Sequence, residues 1–153
     1  MISISISEEF EKEVNSNILE VAAKKVLEFF SSESSYEVAI VIDSDELLQK
    51  LNLDYLGIDA PTDVLSFPSG AEIDPDSNLV YLGDILVSYP KALFQAQAAG
   101  HTVNDELQLL IVHGMLHLFG YDHSTVLDRE NMWKIQDLIL GNLGCNLARR
   151  PGE

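Results

Sequence analysis

The segment Leu107–Phe119 constrains the fold most, because it is apolar on nearly every face of a helix. A helix that is hydrophobic all round is buried, so this segment belongs at the centre of the molecule. It also carries His113 and His117, whose four-residue spacing places both imidazoles on one helical face, one turn apart. A buried polar group without a partner costs about 1–3 kcal/mol. The segment therefore predicts a buried helix in which some partner satisfies both rings.

A third histidine follows a glycine just beyond this helix. Gly120 can end the helix in a left-handed conformation, so that the returning chain brings His123 to the first two rings. Three nitrogens then occupy three corners of a tetrahedron and leave the fourth open, as in catalytic zinc sites. The alternative is core histidines bonded to backbone carbonyls, but three at this spacing favour a metal. We predict one divalent ion on His113, His117 and His123, most simply zinc, with nickel or another transition metal able to replace it.

The histidine spacing also matches the motif HExxHxxGxxH of metzincin peptidases, with one difference. Gly114 stands where such a peptidase carries the glutamate that takes a proton from the metal-bound water. The missing carboxylate argues against peptide hydrolysis and leaves the metal site intact. Because glycine inside a helix costs about 1 kcal/mol relative to alanine, we expect a compensating gain in space for backbone or substrate near the metal.

Five segments together resemble those of a known family. The first reads HGMLHLFGYDH, and the complete set is His113–His123, Leu51–Asn52 with Tyr55, Pro61–Pro68, Leu82–Ile85, and Met132 with Gln136. These segments are similar to HGxLHLxGYDH, LNxxY, PTDVLSFP, GDI and the final helix of the YbeY family, the single-domain metal-dependent endoribonucleases of bacterial rRNA maturation. The resemblance runs from about residue 47 to residue 140 in unbroken order.

The resemblance implies a metal-dependent, single-strand-specific endoribonuclease. It implies action in rRNA maturation at the 16S rRNA 3′ end and in ribosome quality control, with RNA and the ribosome or ribosome-associated proteins as partners. The metal would act as a Lewis acid on a phosphoryl oxygen and lower the pKa of bound water. The resulting hydroxide would attack phosphorus or remove a proton from a 2′-OH, and the sequence leaves both routes open.

Two aspartates join the three histidines as candidate catalytic residues. Asp122 adjoins a ligand, where it either hydrogen-bonds the second nitrogen of an imidazole or caps the turn after Gly120. Asp84, like Asp63, lies in a family-like strand and either orients water or substrate or makes hydrogen bonds at a strand end. We interpret His101 as a residue of an interhelical loop rather than a fourth ligand.

Two positions depart from the family pattern. Family members usually carry arginine after the tyrosine and often a basic residue before the proline, where this chain has Leu56 and Ala60. Phosphoryl transfer relies on such cations to stabilise the equatorial oxygens. The net charge of −16, from 9 basic and 25 acidic residues, is also the reverse of the usual nucleic-acid-binding footprint. We therefore expect RNA binding to be weak and salt-sensitive unless another partner assists.

Two other functions stay open. A metal-bearing ribosome-assembly factor with little catalysis is favoured by Leu56, Ala60 and the acidic charge. A metallopeptidase is favoured by the histidine spacing alone and opposed by Gly114.

The remaining patterns predict an α/β (α+β) fold of zincin-like type, with the metal-binding helix against the sheet. Alternating isoleucines and serines at the amino terminus indicate a half-buried strand. We expect a mixed sheet of about four strands and about five helices, with strands at 2–6, 36–42, 63–67 and 79–88, the last interrupted by Gly83. A Gly/Pro/Asp-rich loop at 68–78 joins the last two strands. Helices are expected at 7–31, 43–53, 90–100, 102–120 and from 125 to near 141 or 144, with Ser7, Asp43, Thr102 and Thr125 as the caps of the first, second, fourth and fifth. Residues 1–144 are predicted to form a single metal-dependent hydrolase domain, and residues 145–153 a loose tail.

Cys145 is the only cysteine, which excludes an intrachain disulfide and favours a reducing compartment. The amino terminus has no basic region before an apolar stretch, and the chain has no uncharged apolar run long enough to span a membrane. We therefore expect a cytoplasmic protein without a membrane partner.

Overall fold

The computed structural model describes residues 1–30, 35–70, 79–145 and 147. In chain order its elements are β1 (Ile2–Ile6), a short 3-10 turn (Glu8–Phe10), α1 (Ser16–Phe29), β2 (Ser35–Asp43), α2 (Asp45–Leu56), β3 (Val64–Pro68), β4 (Leu79–Ser88), α3 (Tyr89–Ala99), α4 (Val103–Leu118) and α5 (Val126–Asn142). The predicted α/β fold with a four-stranded mixed sheet and five helices is confirmed.

The strands form one sheet in the order β1–β2–β4–β3. β1, β2 and β4 run parallel, whereas β3 pairs antiparallel with β4 and forms an edge of the sheet. The predicted interruption at Gly83 is a bulge within a continuous β4, where the register with β2 shifts. Gly83 has φ 140°, and a Cβ there would overlap the backbone of Phe67 in β3. Glycine is therefore required for β3 and β4 to pair at this point.

The apolar helix predicted from the sequence is α4, and it lies buried at the centre of the molecule. It contacts α1, α3 and α5 as well as β3 and β4. Its fully buried residues include Leu107, Leu109, Leu110, Ile111, Val112, Met115 and Leu116. On the opposite face of the sheet, Leu48 of α2 packs with Leu65 and Leu86 in a smaller cluster. The sheet therefore separates a large core that contains α4 from a small one under α2.

The first helix begins later than the sequence predicts. Ser7 precedes only the 3-10 turn, and α1 is capped instead by Asn15, whose side chain accepts hydrogen bonds from two backbone N–H groups of the first turn. Phe10 is buried and stacks on Tyr89 with the ring centroids 4.6 Å apart. Phe10 is the first apolar residue of the predicted helix, and because it packs against Tyr89 of α3 it lies before α1 instead of within it.

The other predicted caps agree more closely with the structure. The hydroxyls of Thr102 and Thr125 each accept a hydrogen bond of 3.1 Å from the backbone N–H three residues later, at the starts of α4 and α5. α2 is capped by Ser44 rather than by Asp43, the residue predicted from the sequence. A serine in this position satisfies an N–H of the first turn as well as an aspartate does.

Most of the predicted tail, residues 145–153, lies outside the described residues, as do residues 71–78 of the Gly/Pro/Asp-rich loop. Cys145 is buried, its backbone N–H donates to the carbonyl oxygen of Leu140 at 2.9 Å, and Leu147 packs against the core. Among the described helices, none has the length and apolar character needed to cross a membrane.

Candidate metal centre

The three histidines singled out by their spacing lie together at the end of α4. His113 and His117 lie one turn apart on the helix, and Gly120, with φ 96°, reverses the chain so that His123 faces them. The ring centroids are 4.6 Å (113–117), 5.1 Å (117–123) and 5.6 Å (113–123) apart. One ligand atom from each residue lies within 4.8 Å of the other two. The group is therefore able to hold a metal ion.

The separation of the two helical ligands suits a tetrahedral ion. The Nε2 atoms of His113 and His117 are 3.1 Å apart. Two nitrogens bound to zinc at 2.0–2.1 Å with tetrahedral angles are about 3.3 Å apart. Little movement is needed for both atoms to bind one ion.

The other nitrogens of these two rings face acceptors. Nδ1 of His117 is 2.9 Å from the carbonyl oxygen of Tyr121, and Nδ1 of His113 is 3.0 Å from Oε1 of Gln136. A carbonyl oxygen only accepts, so each Nδ1 donates its proton, and Nε2 of each neutral ring then carries a lone pair instead of a proton. Two such lone pairs facing each other across 3.1 Å repel, and a cation between them removes the repulsion. The donor set therefore fits a metal.

Burial and the neighbouring His123 lower the pKa of His117, against smaller opposing effects of the Tyr121 carbonyl and Asp122. The ring is consequently neutral near pH 7, which is the form that binds a metal.

The histidines form one wall of a cavity of about 610 Å³. The facing wall consists of Leu56, residues 62–66 and Pro68, so the edge strand β3 lies directly across from the rings. Among the described residues that line the cavity there is no lysine or arginine. The missing cation inferred at Leu56 is therefore not replaced by another described side chain of the lining.

Gly114 allows α4 to approach the sheet closely. A Cβ at this position would lie 3.1 Å from Cγ2 of Ile85 and 3.1 Å from Oγ of Ser66. The Ser66 hydroxyl also donates to the Gly114 carbonyl oxygen at 3.0 Å. The room left by the missing side chain is filled by β3 and β4, and not by the substrate or backbone expected near the metal. Packing thus explains why the peptidase glutamate has no place here.

The two candidate aspartates lie in different places. Asp122 lines the cavity, and its Oδ1 accepts hydrogen bonds from the backbone N–H (3.2 Å) and hydroxyl (3.1 Å) of Ser124, which lower the pKa of Asp122. Of the two roles predicted for it, these contacts are those of a turn cap. Asp84 accepts a hydrogen bond from Tyr81 and is absent from the described lining. Alternation along β4 directs it away from the face that Ile85 presents to α4, so the structure does not bring Asp84 to the histidines.

Asp63 lines the cavity, but its Oδ1 accepts a hydrogen bond from the backbone N–H of Val64 at 2.8 Å, as expected at a strand end. His101 lies in the loop between α3 and α4, with Nε2 3.3 Å from Oε1 of Glu106, and it is not part of the histidine group. Sequence reasoning missed the contact between Gln136 and His113. The sequence does contain a sign of this contact. Gln136 has the helical spacing of Met132, Ile139 and Leu140 and so lies on the apolar, buried face of α5, where a polar side chain needs a partner.

Comparisons with known proteins agree on one family. A family model described as Endoribonuclease YbeY matches residues 3–144. A relative named Endoribonuclease YbeY from Roseiflexus sp. is 41% identical, with 95% of this chain and 94% of the relative covered. One of the same name from Dehalococcoides mccartyi is 37% identical, with 93% and 89% covered. The solution structure of TM1509 from Thermotoga maritima is similar with a TM-score of 0.58 and 26% identity, over 100% of this chain and 99% of that one.

Proposed function

The chain belongs to the YbeY endoribonuclease family, and from this we propose that it is a metal-dependent hydrolase of phosphodiester bonds in single-stranded RNA. The observation that carries the proposal is the convergence of three imidazoles on one wall of an accessible cavity. We further propose rRNA as the substrate, with the 3′ end of 16S rRNA as the site of action and the ribosome as the setting.

We propose that His113, His117 and His123 hold the ion and that zinc is its most suitable occupant, since three imidazole ligands with a fourth position left open are typical of catalytic zinc sites. The bound ion would supply Lewis acidity at a phosphoryl oxygen and an activated nucleophile at neutral pH. Gln136 and the Tyr121 carbonyl orient the rings by accepting their Nδ1 protons. His113 is only 4% exposed, so water is excluded from the side of the site that faces the core.

The shape and charge of the cavity favour unpaired RNA. Double-stranded RNA is recognised through phosphate and 2′-OH contacts across a wide minor groove. Such binding needs an extended basic surface, whereas the described lining has no lysine or arginine. An unpaired strand can instead enter the cavity between the histidines and β3.

The proposal is tested by incubating the purified protein with a labelled single-stranded rRNA fragment and with casein, each with and without a chelator. We expect chelator-sensitive cleavage of the RNA, no hydrolysis of casein, and no RNA cleavage by His117→Ala. Activity that survives in His117→Ala would identify a contaminating nuclease and contradict the proposal.

A ribosome-assembly factor with little catalysis is a second candidate, favoured by the lack of cations in the described cavity lining. It predicts that the parent cleaves RNA no faster than His117→Ala, while both sediment with ribosomal subunits. RNA cleavage that depends on His117 excludes it.

A further inference from the structure

An exposed patch of large apolar side chains borders the cavity where α2 ends. Tyr55, Leu56 and Ile58 are 69%, 58% and 53% exposed. Gly57, with φ 72°, ends α2 between them, and Leu56 itself lines the histidine cavity. These three residues, which we call the α2 rim, continue the surface of the cavity outward onto the protein's exterior.

The Tyr55 ring is positioned by β3. Its centroid is 5.3 Å from that of Phe67, with the ring planes inclined by 60°. Phe67 lies between Ser66 and Pro68, both of which line the cavity, but alternation along the strand directs its side chain to the opposite face of the sheet. The Tyr55–Phe67 pair and the histidines therefore lie on opposite sides of one edge strand, and a flexible chain can pass around that edge.

The charge of the protein indicates which contacts are available to an RNA strand. The net charge of −16 opposes the approach of phosphate, and the described cavity lining offers no lysine or arginine. Within the described lining, the contacts open to an RNA strand are those that need no cation besides the metal. Stacking of bases on aromatic side chains is such a contact, and it tolerates any sequence because every base has a π-face.

Building on the proposed nuclease function, we propose that the α2 rim is a nucleobase-binding site in which Tyr55 stacks on an unpaired base flanking the scissile linkage. The backbone of that strand crosses β3 and places its phosphate at the histidines. Leu56 and Ile58 cover the edge of the stacked base. A base held in a duplex is not available to Tyr55, so this site selects single strands without selecting a sequence.

The test measures binding and cleavage separately. Single-stranded RNA that contains 2-aminopurine is mixed with the metal-loaded protein in a stopped-flow instrument, and its fluorescence reports binding before cleavage. The variants are Tyr55→Ala, Tyr55→Trp and the control Phe94→Ala, which removes another aromatic side chain that is 67% exposed but lies on α3, away from the described lining. Circular dichroism verifies that each is folded.

We expect Tyr55→Ala to weaken binding and raise KM by about fivefold or more, with kcat unchanged. Tyr55→Trp should restore both quantities, and Phe94→Ala should match the parent. Replacing the flanking base by an abasic site should weaken binding to the parent by a similar factor and leave binding to Tyr55→Ala unchanged.

If Tyr55→Ala binds and cleaves RNA like the parent, the stacking site is wrong and the nuclease function stands. If stacking depends on Tyr55 but the parent never cleaves RNA, the nuclease function is wrong and the stacking site stands. Two other outcomes would also overturn the stacking site. The first is a loss of binding in Tyr55→Ala that is equally large for abasic RNA. The second is a Tyr55→Ala variant that binds and cleaves RNA like the parent but no longer binds a ribosomal protein.

Discussion

Gln136 accepts the Nδ1 proton of His113 at 3.0 Å, and it does so from α5, a helix that contributes none of the three histidines. Gln136 is fully buried, so water cannot take its place as the acceptor. Through this contact, the packing of α5 fixes the orientation of a candidate metal ligand on α4. α5 therefore contributes to the candidate metal centre as well as to the core.

Gln136→Leu should weaken metal binding. The substitution removes the acceptor of the His113 proton, and loss of a partner that orients a ligand typically costs 10–100-fold in metal affinity. Competition with a chromogenic chelator measures the affinity. Gln108→Leu is the matched control, because Gln108 is also buried but lies five residues before His113 on α4 and bonds to Asp105 instead of to a ring. Equal affinities for the two variants would show that Gln136 does not orient the ligand.

His123→Ala should abolish stoichiometric metal binding. The parent is expected to contain one divalent ion per chain, and the variant none, because two helical imidazoles alone leave the ion with half of a tetrahedral shell. Elemental analysis of both proteins after the same purification checks this. An equal metal content would remove His123 from the set of ligands.

The metal-free protein should lose stability as the pH falls. The pKa of His117 is lowered by burial and by His123 in the folded state, whereas an unfolded histidine titrates at about 6.5. The unfolded chain therefore binds the proton first, and the stability present above about pH 6.5 declines as the pH falls towards the folded pKa. Urea unfolding between pH 5 and 8, compared with His117→Ala, measures the effect. A slope that is the same in both proteins would contradict it.

Gly114→Glu should destabilise the protein and create no peptidase. The new Cβ would lie 3.1 Å from both Ile85 and Ser66, and overpacking of a core typically costs about 1–3 kcal/mol. Gly141→Glu places the same residue in α5 at an exposed position with no atom within 4 Å, where helix propensity alone should stabilise by up to about 1 kcal/mol. Urea unfolding and a casein assay compare the two. Gly114→Glu as stable as Gly141→Glu would show that close packing is not the reason for the glycine.

Leu56→Arg should increase RNA cleavage. Leu56 lines the cavity and is 58% exposed, so an arginine there can reach a phosphate without being buried. A hydrogen bond to a charged group contributes about 1.5–3 kcal/mol, and solvent exposure favours the lower value, or roughly a tenfold gain in kcat/KM. The control is Leu53→Arg, which is 45% exposed on the same helix but is not part of the described lining. If Leu56→Arg folds normally and changes neither affinity nor rate, no cation is needed at this position.

The part of the site that could be predicted is the part built by local structure. His113 and His117 share a face because of helical geometry. The turn after them needs a residue with positive φ, which glycine adopts without strain, so Gly120 marks where the chain reverses. The positions of all three rings could therefore be predicted from a segment of eleven residues. The partners of those rings were harder to predict. Gln136 meets His113 only after α4 and α5 have packed together, and that packing is not encoded in either segment alone.

The placement of Asp84 shows a second limit of sequence reasoning. A strand pattern tells which residues share a face, but the face that meets α4 depends on the register and on the bulge at Gly83. The start of α1 also depends on tertiary packing. Ser7 and Asn15 are both good caps, and the helix begins after Asn15, in a structure where Phe10 lies outside the helix and stacks on Tyr89.

The position of β3 at the edge of the sheet also bears on self-association. Asp63 accepts a backbone hydrogen bond from the N–H of Ser88, and the N–H of Ser69 donates to the carbonyl of Leu82, so both residues turn their backbone groups towards β4. Because these groups alternate along an antiparallel strand, those of Val64, Ser66 and Pro68 point outward, away from the sheet. Exposed strand edges can pair with a second molecule and start aggregation. Here Pro68 has no N–H to offer, and the N–H of Val64 already donates to the Asp63 carboxylate. The edge beside the histidines, which the proposed RNA path crosses, is thus a poor template for another strand of protein.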